Sequence, residues 1–213
     1  GTRYGGVWLR PAFLSRRRAL NGRADTRGET CDQPSWCGTR NDEDNVVGKR
    51  VDVRIGIVSD SHGNTGVFED MLAVSGAADA EMWLHAGDFA TDADDLEILS
   101  GKRVVRVLGN CDFFVDGVYD ETVIEVAGHR IFLTHGHLFN VRFDTAMLAQ
   151  AAREAGADIA VYGHTHVALE EHGDVTILNP GSIARPRDEM HGSFMLAELN
   201  EGEPPQVTLI RIS

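Results

Sequence analysis

Val53-Arg54-Ile55-Gly56-Ile57-Val58, followed by Ser59-Asp60-Ser61-His62-Gly63, sets the reading of the chain. A β-branched run that ends in a polar, glycine-closed cluster reads as a buried strand feeding a loop. Outward from it, residues 64–75 predict a helix closed by Gly76. Glu81-Met82-Trp83-Leu84-His85 predicts a short strand stopped by Ala86-Gly87-Asp88. Thr91 is placed to N-cap a helix through about Leu99, and the Asp92–Asp95 run reads as its solvated, acidic start. Arg103–Leu108 is a third strand, stopped by Gly109-Asn110. The order βαβαβ implies parallel strands joined by helical crossovers.

The second half differs. Thr122–Val126 and Arg130–Thr134 flank Gly128-His129 and predict a hairpin. A helix is expected from about Phe143 to Ala155, ending at Gly156. Strands follow at Ile159–Tyr162, Val167–Glu171, Val175–Leu178, Gly192–Leu199 and Gln206–Ile212. The pattern is an α/β chain with two sheets, the first rich in parallel and the second in antiparallel strands.

Five polar clusters close strands: Asp60-Ser61-His62, Gly87-Asp88, Gly109-Asn110-Cys111-Asp112, His135-Gly136-His137 and Gly163-His164-Thr165-His166. Loops at the carboxyl ends of strands converge on one crevice, so these clusters can build one site. Imidazole suits transition metals, while carboxylate and amide oxygens suit harder ions. The mixed His/Asp/Asn set, without a Cys ligand, fits a pair of divalent ions such as Mn²⁺, Fe²⁺, Zn²⁺ or Ni²⁺. Residues two apart share one side of an extended segment, so Asp60 with His62, and His164 with His166, can each converge on the metal pair.

This ordered set resembles the calcineurin-like metallophosphoesterase superfamily, and its short spacings resemble the small bacterial and archaeal phosphodiesterase branch. Asn179-Pro180-Gly181-Ser182 matches a loop of that branch. The resemblance covers residues 51–213 as one metallophosphoesterase domain. It implies two packed mixed β-sheets flanked by helices, a four-layer sandwich. Asp60, His62 and His166 would hold one metal, Asn110, His135 and His164 the second, and Asp88 would bridge them. The implied reaction is in-line attack of a hydroxide held between the ions on a small organic phosphate or nucleotide ester. Manganese is the expected ion. A nucleotide phosphatase is the alternative within the class, and a non-catalytic scaffold resembling a retromer subunit the alternative outside it.

One departure bears on the reaction. Larger relatives carry His after the Gly-Asn pair, where it helps protonate the leaving group; here Cys111 stands, and a thiol of ordinary pKa is a poor general acid. His137 is the nearest other proton donor or phosphate contact. Cys111 reads as a small buried side chain near the substrate, and Asp112 as a residue that orients a histidine or caps a turn. Arg185 and Arg187 are candidates for a substrate phosphate, with a surface ion pair as the other reading. His85, His129, His172 and His191 match no ligand position.

The chain has 213 residues and a net charge of −13, with 42% hydrophobic residues. No apolar run is long enough for a membrane span. Residues 1–50 hold ten Lys/Arg against six Asp/Glu, a formal +4, so the remaining 163 residues carry −17. That acidity disfavours long nucleic acid partners. The scarcity of basic residues in this part favours a diester over a dianionic monoester. The expected partner is a small phosphate ester, with homo-oligomerisation open. Residues 1–50 lack strong hydrophobic periodicity and read as a poorly structured extension or a processing or tag remnant, with a transit-like leader or a partner-docking arm as the alternatives. Three cysteines, Cys31, Cys37 and Cys111, at irregular spacing suggest free thiols in a reducing cytoplasm rather than a disulfide framework.

Overall fold

The computed structural model describes residues 53–212. The expectations for residues 1–50, including Cys31 and Cys37, lie outside the described residues. The opening strand, β1 (Val53–Val58), alternates its faces: Ile55 and Ile57 point one way, Gly56 and Val58 the other. It pairs in parallel with β2 (Met82–His85), which pairs in parallel with β3 (Arg103–Arg106). On its other side β1 meets the antiparallel β9 (Gly192–Leu199), and β9 meets β10 (Gln206–Ile212). The first sheet therefore runs β10-β9-β1-β2-β3.

The second sheet runs β4-β5-β6-β8-β7, from β4 (Glu121–Val126), β5 (His129–Thr134), β6 (Ile159–Val161), β7 (Ala168–Glu171) and β8 (Thr176–Pro180). It is not antiparallel-rich as read from the sequence. β5–β6 and β6–β8 are parallel, while β4–β5 and β7–β8 are antiparallel. The short loops that suggested antiparallel neighbours join β7 to β8, but α3 (Ala146–Glu154) crosses between β5 and β6. Both sheets are thus mixed, and the first is not parallel-rich either, since β1–β9 and β9–β10 are antiparallel.

Period-2 alternation decides the layers. Ile55, Ile57, Leu84, Ile131, Leu133, Ile159, Val161 and Leu178 meet between the two sheets. The opposite face of the first sheet, with Trp83 and Phe194, packs against Phe68 of α1 (Val67–Leu72) and Leu96 of α2 (Asp92–Ser100). The outer face of the second packs Phe132, Ala160 and Ile177 on Leu148 and Ala152 of α3. The result is a four-layer α/β/β/α sandwich. Gly56 is required in it: a Cβ there would stand 2.3 Å from the Trp83 ring carbon.

The helices are shorter than the sequence suggests. α1 begins at Val67 because the Asn64–Gly66 stretch forms a turn first. Thr91 does precede α2, but its backbone is already helical and its side chain makes no cap bond. Asp92 is buried rather than solvated, because it accepts hydrogen bonds from Ser61 Oγ at 2.6 Å and Gly63 N at 2.8 Å. α3 starts three residues late, after Phe143, with the Ala146 amide bonded to Asp144 Oδ1. Among the described residues no helix is long and apolar enough to cross a membrane.

Candidate metal centre

The ends of β1, β2, β3, β5 and β6 release their polar clusters toward one another. Backbone bonds tie these loops together: Asp60 N donates to Gly87 O, and Gly163 N to His135 O. The loops turn through the left-handed region at Asp60, His62, Asp88, Phe89, His164 and His166, all with φ between 50° and 68°. The expected convergence of Asp60 with His62 occurs, but through these turns rather than through extended alternation. His164 and His166 face different neighbours.

Four ligand-type atoms, from Asp60, His62, Asp88 and His166, lie within 4.8 Å of one another. His62 Nε2 is 3.2 Å from His166 Nε2, 3.8 Å from Asp88 Oδ2 and 4.0 Å from Asp60 Oδ1. The other Asp88 oxygen, Oδ1, is 3.3 Å from His135 Nε2, which is 3.2 Å from Asn110 Oδ1. His164 joins this second group by its ring, 5.1 Å from that of His135. Asp88 thus turns one oxygen to each group.

The proton positions show what these groups lack. His135 Nδ1 donates to Ala86 O at 2.7 Å, and His166 Nδ1 to Arg185 O at 2.6 Å. With Nδ1 committed to a carbonyl, each ring turns Nε2 toward oxygens that have no proton to give. Asp60 Oδ2 accepts from Ser59 Oγ at 2.6 Å and His164 N at 3.1 Å, yet Oδ1 is buried with no hydrogen-bond partner. A cation between these atoms would satisfy all of them, so the donor set fits divalent metal.

Electrostatics agree in direction. Burial alone would raise Asp60, but His166, the charge of His135 and the Ser59 hydroxyl hold its carboxyl below the ordinary value. Burial, then the charges of His135 and Arg142, push His164 down to about 4, which keeps it neutral and able to ligate. For His166 burial, which would lower it, is outweighed by Asp60 and then by the Arg185 carbonyl, which raise it.

Supporting residues come from loops. Asp112 accepts from Ala90 N and Gly109 N, both at 2.8 Å, and so ties the β2 and β3 loops instead of orienting a histidine. Asn179, fully buried, donates to Gly163 O and Thr165 Oγ1 at 3.0 Å, which explains the Asn-Pro-Gly-Ser loop as a brace for the His164 loop. Ser182 Oγ donates to Asp60 O at 2.8 Å and accepts from Arg185 N at 2.7 Å. Of the four unassigned histidines, His85 is buried against Ser61 and His129 against Asp158, while His172 and His191 are exposed.

Cys111 is exposed, against expectation, because the chain turns outward after Asn110. Its backbone N–H donates to Asp88 Oδ1 at 2.9 Å, and its Sγ accepts from Asn110 Nδ2 at 3.4 Å. Partial burial of the thiol, and then the nearby Asp88, Asp112 and Asp60 carboxylates, push it up to about 11. His137 stands behind His135, ring centroids 5.5 Å apart, with Nδ1 buried and unpartnered. Burial, then His135, lowers its pKa.

A cavity of about 370 Å³ opens over these atoms. Arg185 and Arg187, the two candidates for a substrate phosphate, line it. So does Arg142, which motif reading missed: it belongs to no cluster, and nothing in the sequence around it marks it. Its Nε donates to His164 Nε2 at 2.9 Å.

The calcineurin-like phosphoesterase superfamily domain matches residues 53–202. The chain belongs to this superfamily. Among its superfamily relatives is the probable metallophosphoesterase YsnB of Bacillus subtilis, 34% identical over 147 residues, covering 67% of this chain and 82% of the relative. Escherichia coli phosphodiesterase YfcE is 29% identical over 166 residues, covering 67% of this chain and 85% of YfcE. The solved structure of Entamoeba histolytica Vps29 complexed with zinc aligns at a TM-score of 0.59 and 26% identity, over 75% of this chain and 99% of Vps29. The fold and family thus agree with the resemblance read from the motifs.

Proposed function

We propose that this calcineurin-like phosphoesterase is a metal-dependent hydrolase of small phosphodiesters, nucleotide esters included. The observation that carries the reading is Asp88, whose two oxygens face two separate histidines, His62 and His135. On this reading Asp60, His62 and His166 hold one divalent ion, Asn110, His135 and His164 the other, and Asp88 spans them; manganese is the ion we favour. Such ions, when bound, activate water and neutralise charge on phosphoryl oxygens. The chain itself orients the ligands through the Ala86 and Arg185 carbonyls and positions guanidinium groups for the phosphate. His137, whose ring stands 5.5 Å from that of His135, is the candidate to exchange a proton with the leaving group. Names of relatives, metallophosphoesterase and phosphodiesterase, support the reaction class. The scaffold alternative is weakened because all seven ligand positions carry metal-competent residues. The cysteine usage supports a cytoplasmic setting.

The test is hydrolysis of bis(p-nitrophenyl) phosphate with added Mn²⁺. Activity is expected in the wild type and lost at least about 100-fold in Asp88→Asn and His135→Ala, since even outer partners of ligands cost 10–100-fold. Metal-replete protein inert toward every aryl phosphoester removes the enzyme reading.

A further inference from the structure

Three guanidinium groups share the wall of the metal-site cavity. Arg142, Arg185 and Arg187 all line it, and among the described residues none lies within 4.0 Å of a carboxylate. Elsewhere among the described residues Arg54, Arg106, Arg130 and Arg211 are paired with acids, and only the solvent-exposed Arg103 and Arg153 are not. Arg142 reaches the site directly, its Nε donating to His164 Nε2 at 2.9 Å.

Two of them are placed by backbone, not by chance. Arg185 O accepts from His166 Nδ1, and Arg187 N donates to His166 O at 3.0 Å, so the segment around Pro186 is clamped to one candidate ligand at both ends. Ser182 joins the same segment to Asp60. Two carboxylates, Asp60 and Asp88, face three arginines before any bound cation is counted. A monoanionic diester with neutral flanks has one unit of charge to offer such a wall. Arginine binds phosphate oxygens in pairs of parallel bonds; the forks of Arg185 and Arg187, with the terminal nitrogens of Arg142 whose Nε is given to His164, exceed what the two free oxygens of a diester can take.

We infer that the substrate is a phosphodiester bearing a further phosphate beside the scissile one, and that Arg142, Arg185 and Arg187 grip this second phosphate. The inference rests on the phosphodiesterase reading for its scissile bond, and reverses the expectation that basic residues are too few for a more highly charged substrate. Arg142 is the specificity-determining member, since it reaches the wall from the β5–α3 connection, a separate segment of the chain from the clamped pair.

A matched pair of esters tests it: p-nitrophenyl thymidine 5′-phosphate with and without a 3′-phosphate. The 3′-phosphorylated ester is expected to be favoured about tenfold in kcat/KM, mainly through KM. The preference should fall toward unity in Arg142→Gln and in Arg185→Gln/Arg187→Gln; as a ratio within each variant, it is independent of any general loss. Equal kcat/KM for the two esters in the wild type, or a preference unchanged in the variants, overturns the proposal. Calorimetry without added metal, comparing adenosine 3′,5′-bisphosphate with adenosine 5′-phosphate, reads the grip without catalysis. About tenfold tighter binding of the bisphosphate, lost in the variants, supports it even if no ester is hydrolysed, in which case the enzyme reading alone fails. Equal binding of the two nucleotides overturns it.

Discussion

His166 Nε2 stands 3.2 Å from Asp60 Oδ1, a buried oxygen with no hydrogen-bond partner, and 3.2 Å from His62 Nε2. An ion that fills this gap binds the folded chain and not the unfolded one. At a hundredfold excess over Kd such binding adds about 2.7 kcal/mol. For a domain of this size, that raises Tm by roughly 5–10 °C. Thermal melts with Mn²⁺ and with EDTA should differ by this much, and the difference should vanish in Asp60→Asn. Superimposable melts of the wild type would mean that the cluster does not bind the ion.

Gly109 passes so close to Asp88 that a Cβ would lie 2.2 Å from Oδ1 and 2.3 Å from its amide nitrogen. The backbone on both sides must shift to accept alanine. Overpacking of this kind costs about 1–3 kcal/mol, and displacement of a reacting group by about 1 Å costs on the order of 100-fold in rate. Gly109→Ala should therefore remain folded by circular dichroism while losing about 100-fold in kcat/KM on aryl phosphodiesters. Retention of most of the activity would show that Asp88 does not need its present position.

Cys111 faces solvent, and its thiol, near 11, neither donates a proton readily nor exists as thiolate at neutral pH. A true general acid contributes roughly 10²–10⁴-fold. Cys111→Ala is expected to change kcat/KM by less than about threefold and to leave the pH profile in place, because the Asp88 contact is made by the backbone. A loss of two orders of magnitude would restore the side chain to the reaction.

Asp188 links the arginine segment to β10. The two nitrogens of Arg211 donate to its oxygens at 2.9 and 2.6 Å, and Ala168 N donates at 2.8 Å. The Arg211 bonds, against some burial and with the Ala168 bond, hold its carboxyl down at about 2. A depressed carboxyl stabilises the fold above its unfolded pKa, near 4, and the gain is lost as pH falls toward 2. Discounted for partial exposure, it amounts to about 1–2 kcal/mol. Asp188→Asn should lower stability by that amount at pH 7 in urea melts, with the gap to wild type closing between pH 4 and 2. A gap constant with pH would mean packing, not charge, is what the substitution removes.

Most of the fold was legible because buried parallel strands leave a strong signature: the Val53–Val58 run, and glycine-acid or glycine-asparagine pairs where strands stop. The candidate ligands were legible for the same reason, since strand ends locate them. Arg142 was not, because a single arginine in a loop carries no periodicity and owes its place to α3 and the β5 loop. Asp92 was misread as solvated, since only the folded chain brings Ser61 and the Gly63 amide to it across 31 and 29 residues. The second sheet was misread because pairing order, unlike strand position, depends on where α3 carries the chain.

The left-handed turns at Asp60, His62, Asp88, Phe89, His164 and His166 carry a wider consequence. A glycine would adopt each of these conformations at ease, whereas each side chain here sits in a region that costs roughly 1–3 kcal/mol. Durability and chemistry therefore pull these positions in opposite directions. A lineage released from the need for hydrolysis would gain robustness by discarding them, so heat selection alone would erase the centre before it touched the sandwich.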